Sequence, residues 1–346
     1  MKKMRVMMLT HSYMIPPDDL TDPDDPRMEH CRTEFDVRAA LQHLGHEVRI
    51  LGIDDDITPV RKTAEQWQPH IAFNLMEAFA ENAALDYYVV SYLDMLGIPY
   101  TGCNARGLIL ARDKAISKKL LSYHRIRVPK FVVLPRGKKI NLKHIGKYPY
   151  PLIVKSTIEQ GSIGISQASY VTTPEELARR VEQLFDIAEG DAIAEQYIEG
   201  RELYVTVMGN TRLQVFPVRE LVFDNIDDNM HRIATYNVKW NEQYRKKWGI
   251  DYQFVRNLPE GMAEAIPKLA KRIYKILDLT GYARLDLRLS SDGKLYVLEA
   301  NPNAAISNSD DIAYSAERAG LTYEKLIQRL LSLGLQYHKA RGHAAN

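Results

Sequence analysis

Polar and apolar residues alternate along two neighbouring stretches late in the chain, Ala283 to Ser290 and Lys294 to Asn301. Strict alternation predicts two β-strands that each bury one face. Asp292 and Gly293 lie between them, and such a pair is typical of a two-residue hairpin turn. The sequence therefore predicts an antiparallel hairpin with a defined register.

That register places four polar side chains on one face, because side chains along a strand alternate with period two. Asp286 lies opposite Glu299, and Arg284 lies opposite Asn301. Two carboxylates on cross-strand partners, with Cβ atoms about 5 Å apart, destabilise a sheet unless a proton or a cation lies between them. Carboxylate and amide oxygens suit a hard cation such as Mg2+. We interpret the hairpin as a metal and nucleotide site; a surface hairpin with a solvated charged face is the alternative.

Strand and helix patterns alternate through the first hundred residues. Strands are predicted at Arg5 to Thr10, Glu47 to Ile53, Ile71 to Leu75 and Ile98 to Thr101. Helices are predicted before Gly45 and from about Asn82 to Leu96. This order is typical of a doubly wound α/β domain. The loop 11–30, rich in Pro and Asp and including Asp24, is either solvated or lines a site beyond the first strand.

A glycine-containing loop follows a predicted apolar strand, Pro151 to Lys155. The loop, Ser156 to Ser166, contains Gly161, Ser162 and Gly164. Glycines let backbone N–H groups point into one concavity that can hold phosphate, and Lys155 adds a compact cation. The loop is not a Walker A motif. A phosphate-binding loop and a plain glycine hairpin turn both fit this pattern.

The rest of the chain shows further periodic segments and one long irregular one. Helices are predicted at Leu108 to His124, Pro174 to Glu189, Met262 to Leu277 and Tyr323 to Leu333, and strands at Val128 to Leu134, Ala192 to Tyr197 and Leu203 to Gly209. Periodicity is lost between Asp224 and Asn257, which indicates an irregular lid. Residues from about His338 onward are predicted to be frayed.

Composition excludes several classes of protein. The 346 residues allow two or three domains, and the formal charge of +2 gives no electrostatic reason to expect nucleic acid or an anionic membrane as a partner. The only apolar run near the start, Val6 to Leu9, is too short for a signal peptide or a membrane span. Cys31 and Cys103 lack metal or redox spacing and fit a reducing cytoplasm.

Three motifs, the glycine loop after Lys155, EQYIEGRE from Glu195, and RLDLRL to LYVLEANPN from Arg284, occur in one order and spacing. Together they resemble the ATP-grasp superfamily, specifically its D-alanine–D-alanine ligase branch, over Met1 to Leu333. The resemblance implies an α/β fold in which a doubly wound N-terminal domain precedes two α+β domains that clasp ATP between antiparallel sheets. The implied boundaries are 1–103 for the N-terminal domain, 104–194 for the central subdomain, 195–337 for the C-terminal subdomain with metal site and lid, and 338–346 for a tail.

The same resemblance implies roles for individual residues. ATP is expected to contact Lys114, Lys155, Glu159, Gly161, Ser162, Gly164, Glu195, Gln196, Tyr197, Ile198, Glu202 and Leu298. Two Mg2+ ions, with Mn2+ as an alternative, are expected at Asp286, Glu299 and Asn301. The expected catalytic residues are Arg284, Lys155 and Lys239. Arg284 would steady the reacting carboxylate and the tetrahedral intermediate, and Lys239 would reach the γ-phosphate.

The departures from the family pattern lie at positions expected to bind substrate. Gly161 replaces the first serine of the usual EGSSVG loop, and Trp240 replaces a lid tyrosine or phenylalanine. The N-terminal HGxxGEDG signature keeps only Glu81. Ala304, Ala305 and Asp310 stand where the family has a Pro-Gly and a serine. The candidate substrate residues are Glu81, Trp240, Asn303, Ala305 and Asp310.

Two interpretations of Asp310 and Asp311 stay open. They bind a cationic group of the second substrate, or they form the N-cap of a helix that begins near Ile312, where aspartate is favoured.

The resemblance implies an ATP-dependent carboxylate–amine ligase that forms an amide or peptide bond through an acyl phosphate and releases ADP and phosphate. Because the nucleotide and metal positions are kept while the substrate positions change, we expect small-molecule substrates (an amino acid, dipeptide or other metabolite) other than two D-alanines. A genuine D-alanine–D-alanine ligase of peptidoglycan synthesis is the alternative, and a nucleotide-binding protein without catalysis is a third hypothesis. A cytoplasmic homodimer joined through the N-terminal domain is also implied.

Overall fold

The computed structural model describes residues 2–20, 22, 25–227 and 229–344. Asp24, which belongs to the acidic loop noted above, lies outside the described residues. The described chain forms three β-sheets with helices packed around them.

The N-terminal sheet is parallel, with strand order β2-β1-β3. Its strands are β1 (Arg5–Thr10), β2 (Glu47–Gly52) and β3 (Ile71–Asn74), and its helices are α1 (Arg32–His43), α2 (Thr58–Trp67) and α3 (Tyr87–Met95). The strand predicted at Ile98 to Thr101 is reduced to one bridge between Ala72 and Tyr100. Helix α2 escaped prediction because Val60 and Trp67 are its only buried residues, too few for a clear periodicity.

The helix predicted from Leu108 to His124 is two helices, α4 (Ala105–Arg112) and α5 (Lys114–Tyr123). Asp113 separates them because its backbone is extended and its carboxylate accepts hydrogen bonds from the first N–H groups of α5. The break puts Lys114 in the first turn of α5.

The central sheet is antiparallel, with order β4-β7-β5-β6. Its strands are β4 (Phe131–Leu134), β5 (Leu152–Ser156), β6 (Tyr170–Val171) and β7 (Ala192–Gln196), and its helices are α6 (Leu142–Ile145) and α7 (Pro174–Phe185). Leu177, Val181 and Leu184 of α7 are buried against this sheet. The face of α7 that they form follows the helical period.

The C-terminal sheet is also antiparallel, with order β11-β10-β8-β12-β13 and β9 paired to β8. Its strands are β8 (Gly200–Met208), β9 (Gln214–Val215), β10 (Arg219–Phe223), β11 (Ile250–Phe254), β12 (Tyr282–Ser290) and β13 (Leu295–Pro302). Helix α10 (Met262–Ile276) packs beside it, and α11 (Asp311–Arg318) follows β13.

The hairpin of β12 and β13 has the predicted pairs Asp286–Glu299 and Arg284–Asn301, but its turn differs from the prediction. Ser290 hydrogen-bonds Lys294, which leaves a three-residue loop in place of a two-residue turn. That change alone would shift the register by one residue. A β-bulge just before Glu299 shifts it back, so the two carboxylates still face each other.

The segment predicted as an irregular lid contains regular structure. Helices α8 (Tyr236–Trp240) and α9 (Glu242–Trp248) precede β11 within it. Thr235 and Asn241 each accept a hydrogen bond from a first-turn N–H group, so side-chain capping stabilises two helices too short to show periodicity.

The C-terminal helix α12 (Tyr323–Ala344) continues well past Leu333, so the frayed tail predicted from His338 is wrong for the described residues. Leu326, Ile327, Leu330 and Leu331 bury its face against α1 and the N-terminal sheet. Among the described helices, none combines the length and apolarity needed to cross a membrane.

Hydrophobic packing divides the chain differently from the expected boundary at residue 104. Leu108 of α4 and Leu121 of α5 lie in one core with Leu9 of β1 and Leu285 of β12. The central sheet has a separate core. The helices at 105–123 therefore pack with the C-terminal sheet, and the division into domains stays a prediction.

Candidate active site

A cleft lies between the central and C-terminal sheets and is called here the central cleft. It encloses about 630 Å3 including its open mouth. Its lining residues are Ile153, Lys155, Ser162, Ile165, Glu195, Gln196, Tyr197, Ile198, Glu202, Ile233, Ala234, Lys239, Asp286, Arg288, Leu298 and Glu299. Most of the residues expected to contact ATP are in this set. Apolar side chains suited to a purine and charged side chains suited to phosphate occur together in it.

The facing carboxylates of Asp286 and Glu299 form the acidic part of the central cleft. Arg284 holds Asp286 with two hydrogen bonds, from Nε to Oδ1 at 2.8 Å and from Nη2 to Oδ2 at 3.0 Å. Burial raises the pKa of Asp286 to about 7, with Glu299 adding to the shift and Arg284 opposing it. Burial alone would also raise the pKa of Glu299, but Lys114, Lys239 and Lys155 outweigh it and hold that pKa well below its ordinary value.

This arrangement suits a divalent cation. Asn301 adds an amide whose Nδ2 lies 3.4 Å from Glu299 Oε1. No group of three or more His, Cys, Asp or Glu side chains forms a metal site within the described part of the chain. The donor set here is two carboxylates and one amide, and a hard cation between them would relieve the repulsion that raises the Asp286 pKa.

Three buried lysines surround these carboxylates. Lys114 Nζ lies 3.6 Å from Glu299 Oε2. Lys155 and Lys118 each lie 3.2 Å from a different oxygen of Glu195. Burial lowers the pKa of Lys114 and, helped by Lys155, lowers that of Lys118 to about 8. Burial also acts to lower the pKa of Lys155, but Glu195 and Glu299 outweigh it and raise that pKa.

Glu202 is held at the edge of the central cleft by two neighbours. Arg288 Nη2 lies 3.0 Å from its carboxylate, and the Tyr204 hydroxyl donates to it at 2.9 Å. Arg288 also donates to the Gly200 carbonyl at 3.0 Å, which fixes the start of β8. A carboxylate held in this way has a defined orientation toward the cleft.

The glycine loop and the lid are joined by three hydrogen bonds. Trp240 Nε1 donates to the Gly161 carbonyl at 2.8 Å, Ser162 Oγ donates to the Ala234 carbonyl at 2.7 Å, and the Tyr236 N–H donates to Ile165 at 3.0 Å. The two segments therefore form one cover over the central cleft.

The other predicted members of the glycine loop lie outside the lining of the central cleft. Glu159 accepts a hydrogen bond from the Glu189 N–H, and its own carbonyl accepts from Lys114. Gly164 lies against Leu184 of α7. Packing against this helix, rather than a nucleotide contact, accounts for a glycine at 164.

A second cleft adjoins the central one and is called here the second cleft. Its lining residues are Glu77, Gln160, Gly161, Tyr204, Arg219, Lys239, Trp240, Arg245, Asp251, Tyr252, Arg284, Asn301, Asn303, Ala304, Ala305, Ser309, Asp310, Asp311 and Tyr314. Lys239 lines both clefts, and the Arg284–Asp286 pair joins them. Trp240, Asn303, Ala305 and Asp310, four of the five candidate substrate residues, are therefore brought together beside Arg284.

Asp311 bridges two arginines in the second cleft. Its Oδ1 lies 3.2 Å from Arg219 and its Oδ2 lies 3.5 Å from Arg284. Arg219 is 8% exposed and is surrounded by aromatic rings, with Tyr314 the nearest at 4.8 Å. Arg284 thus makes ion pairs on two sides, with Asp286 and with Asp311.

Asp310 has the backbone conformation of the N-cap of α11, but its side chain does not cap the helix. The carboxylate accepts a hydrogen bond from the Ser307 N–H at 2.7 Å instead. Burial raises its pKa, an effect that Ser307 opposes. The N-cap interpretation thus holds for the backbone and not for the side chain.

A family model described as D-ala D-ala ligase C-terminus matches residues 120–332, more than half of the chain. The chain belongs to the D-alanine–D-alanine ligase family. The D-alanine–D-alanine ligase of Desulfotalea psychrophila is 31% identical over 258 residues, which cover 74% of this chain and 76% of that protein. D-alanine–D-alanine ligase A of Bacillus cereus is 29% identical over 257 residues, covering 74% of this chain and 79% of the relative.

Solved structures agree with this membership at the level of the fold. The crystal structure of D-alanine–D-alanine ligase from Bacillus anthracis complexed with ATP has a TM-score of 0.75 and 22% identity, and the match covers 98% of this chain and 99% of that one. The predicted family, fold class and enzyme class are confirmed. This D-alanine–D-alanine ligase family member is an ATP-grasp ligase that uses ATP and a divalent metal.

Two predicted substrate residues have environments in this family member that the sequence did not indicate. Glu81 lines neither cleft described above; it lines a third cleft with Tyr13 and Glu159. Glu77, which was not predicted, lines both the second and the third cleft. Asn303 lines the second cleft, and its Oδ1 accepts a hydrogen bond from the Cys103 N–H at 2.8 Å, so it also ties β13 to the N-terminal domain.

Sequence reasoning missed Lys118, Arg288 and Arg219. Lys118 follows Lys114 by four residues, so both lie on one helix face. Arg288 follows Asp286 by two residues on β12, so both point to one side of the sheet. These spacings were available signals. Arg219 had none, because its partner Asp311 is far away in sequence.

Proposed function

We propose that this chain is an ATP-dependent carboxylate–amine ligase whose substrates are an amino acid, dipeptide or small metabolite other than two D-alanines. The supporting observation is the junction of the two clefts. A charged set fit for nucleotide and metal lies in the central cleft, while the adjoining second cleft has Ala304, Ala305 and Asp310 at positions where the family pattern binds the second substrate.

In this proposal the central cleft binds the nucleotide. Lys114 and Lys155 contact its phosphates, Glu202 its ribose, and Leu298 and the segment Glu195 to Ile198 its purine. Asp286, Glu299 and Asn301 hold two Mg2+ ions. Bound Mg2+ neutralises negative charge on the phosphates and on the group in transfer.

Arg284 carries the central chemical role in the proposal. A substrate carboxylate oxygen bonds to the γ-phosphorus as ADP leaves, and an amine nitrogen then bonds to the acyl carbon as phosphate leaves and the amine loses a proton. Negative charge develops on the acyl oxygen in the second step. Arg284 reaches the second cleft, where it would stabilise that oxyanion; such a donor is typically worth about 3 to 4 kcal/mol.

The cover formed by the glycine loop and the lid supports an intermediate that water can destroy. Acyl phosphates hydrolyse, so the reacting carbon has to be shielded from solvent. Trp240 and Lys239 belong to the same short helix, α8. The hydrogen bond from Trp240 to Gly161 therefore holds Lys239 near both clefts.

Asp310 supports a second substrate other than D-alanine. Its carboxylate lines the second cleft and does not cap α11. Where the family pattern has a serine that helps to bind a substrate carboxylate, a buried aspartate would repel one. An amine with a cationic group at this position fits better.

The alternative, a D-alanine–D-alanine ligase with an altered second cleft, is supported by the names of the relatives. An assay with Mg-ATP and a panel of single and paired D- and L-amino acids, dipeptides and amines separates the two. ADP release is measured, and condensed products are identified by mass spectrometry. The proposal expects turnover with a pair other than D-alanine. Turnover with D-alanine alone would support the alternative.

A further inference from the structure

The buried lysine Lys118 has no role in the proposal above, although it contacts two parts of the central cleft. Its side chain is 1% exposed and lies 3.2 Å from Glu195 Oε1, while Lys155 lies 3.2 Å from Glu195 Oε2. Glu195 Oε1 has no hydrogen-bond partner, so the contact with Lys118 is an ion pair without hydrogen-bond geometry. Lys118 also donates a hydrogen bond to the Leu298 carbonyl.

The charges of these three side chains do not cancel. Two ammonium groups share one carboxylate, which leaves one net positive charge in a region where Glu195 is 4% exposed and Lys155 is 10% exposed. Buried charge is costly unless an opposite charge compensates it. A polyphosphate in the central cleft would supply that compensation.

Removal of Lys118 would change this balance. Lys155 and Glu195 would then neutralise each other as a closed pair, and Lys155 would have less free charge to offer a phosphate. Removal of both Lys118 and Glu195 charges would restore one net positive charge on Lys155. The arrangement therefore predicts that the effect of losing Lys118 depends on Glu195.

The contact with Leu298 links the same lysine to the opposite wall. Lys118 lies on α5, Glu195 on β7 of the central sheet, and Leu298 in the bulge of β13 in the C-terminal sheet. One ammonium group therefore connects both sheets between which the central cleft lies.

We propose that Lys118 is a positioning residue for nucleotide binding: by sharing Glu195 it keeps the charge of Lys155 available to the phosphates and holds the two walls of the central cleft together. This inference rests on the proposed nucleotide site, and it concerns a residue that touches no nucleotide itself.

The test is calorimetric binding of Mg-ADP and of adenosine to the full chain. The variants are Lys118→Met, Glu195→Gln, the double variant, and Lys119→Met as a control on the exposed side of the same helix. Thermal unfolding of each variant is measured in parallel. Neither binding experiment depends on the carboxylate or amine substrates.

Lys118→Met is expected to weaken Mg-ADP binding at least tenfold while adenosine binding changes much less. The double variant is expected to recover most of the Mg-ADP affinity, and Lys119→Met to bind like the parent chain. A merely structural lysine would lower the unfolding temperature without this pattern of rescue.

Unchanged Mg-ADP binding by a folded Lys118→Met variant would overturn the inference, and so would a folded double variant as weak as Lys118→Met. If Lys118→Met does not fold, the double variant decides the matter, because it lacks the closed pair and is expected to bind Mg-ADP. Failure of the parent chain to bind Mg-ADP would instead contradict the proposed function.

Discussion

Asp286 and Glu299 are the residues at which sequence and structure can be compared most closely. Their pairing followed from alternation along two strands and from the position of a turn. The turn is one residue longer than predicted, and a bulge compensates for it. A functional pair can thus be predicted from polarity at a strand end even when the local geometry that produces it is not.

Asp286→Asn should abolish most ATP turnover. The substitution removes one carboxylate from the proposed metal site and breaks the two-bond contact with Arg284. Substrate-dependent ADP release is expected to fall at least about a hundredfold, as when a charge-stabilising group is lost from an active site. Asp292→Asn, in the exposed loop of the same hairpin, is the control and should leave the rate unchanged. A Asp286→Asn variant with nearly the parent rate would refute the metal assignment.

Glu34 should make folding stability depend on pH. Burial raises the pKa of Glu34 to about 7, although the hydrogen bond from Thr10 at 2.9 Å opposes the shift. The folded chain therefore binds this proton more tightly than the unfolded chain does. Stability from this group is fully present below the ordinary pKa of 4.5 and is lost as pH rises to about 7.

Glu34→Gln should remove this dependence. Over that pH range the parent chain is expected to lose about 3 kcal/mol relative to the variant, measured by urea unfolding at several pH values. Above pH 7 the difference should stay constant. A difference that is flat from pH 4.5 to 7 would show that Glu34 has an ordinary pKa.

At the scale of elements, the lid shows why short helices escape sequence analysis. Helices α8 and α9 have five and seven residues, too few to repeat a 3.6-residue period clearly. Their caps, Thr235 and Asn241, were visible in the sequence but are common in loops as well. The split between α4 and α5 at Asp113 is the same case, a capping residue inside an apolar pattern that continues across it.

Trp240→Ala should uncouple ATP consumption from product formation. The change removes the hydrogen bond from Trp240 Nε1 to Gly161 and opens the cover formed by the lid and the glycine loop. More of the acyl phosphate should then be lost to water, so the ratio of condensed product to ADP released should fall severalfold. Tyr123→Ala, which removes an exposed aromatic side chain from α5, is the control. An unchanged ratio for Trp240→Ala would exclude a shielding role.

The whole molecule is held together by packing between segments far apart in sequence. One core contains Leu9 of β1 with Leu285 of β12, and another contains Met8 of β1 with Tyr282 of β12 and Leu330 of α12. The N-terminal and C-terminal sheets thus share buried surface. Sequence patterns identified the strands, but not that α4, α5 and α12 would join them, because periodicity says which face is buried and not against what.

Leu330→Ala should destabilise the whole molecule and not only its last helix. Leu330 is fully buried between α12 and the N-terminal sheet, so its truncation leaves a cavity that costs about 2 to 5 kcal/mol in the free energy of unfolding. Gln336→Ala, at an exposed position of α12, is the matched control. A Leu330→Ala variant as stable as this control would contradict the packing described for α12.

The family, the fold and the reaction type followed from motifs that concentrate nucleotide and metal chemistry in a few contiguous stretches. The substrates did not follow, because the second cleft is assembled from segments near residues 77, 160, 219, 240, 284 and 310 that no single motif spans. Arg219 and Glu77 became visible only in the folded chain. The substrate assignment is therefore the part of the account most in need of direct measurement.

That measurement compares kcat/KM for D-alanine alone with kcat/KM for the best other carboxylate and amine pair, both with Mg-ATP and with the product identified by mass spectrometry. The account predicts a condensed product and a clearly higher kcat/KM for a pair other than D-alanine. Efficient formation of D-alanyl-D-alanine, with no better pair in the panel, would contradict it.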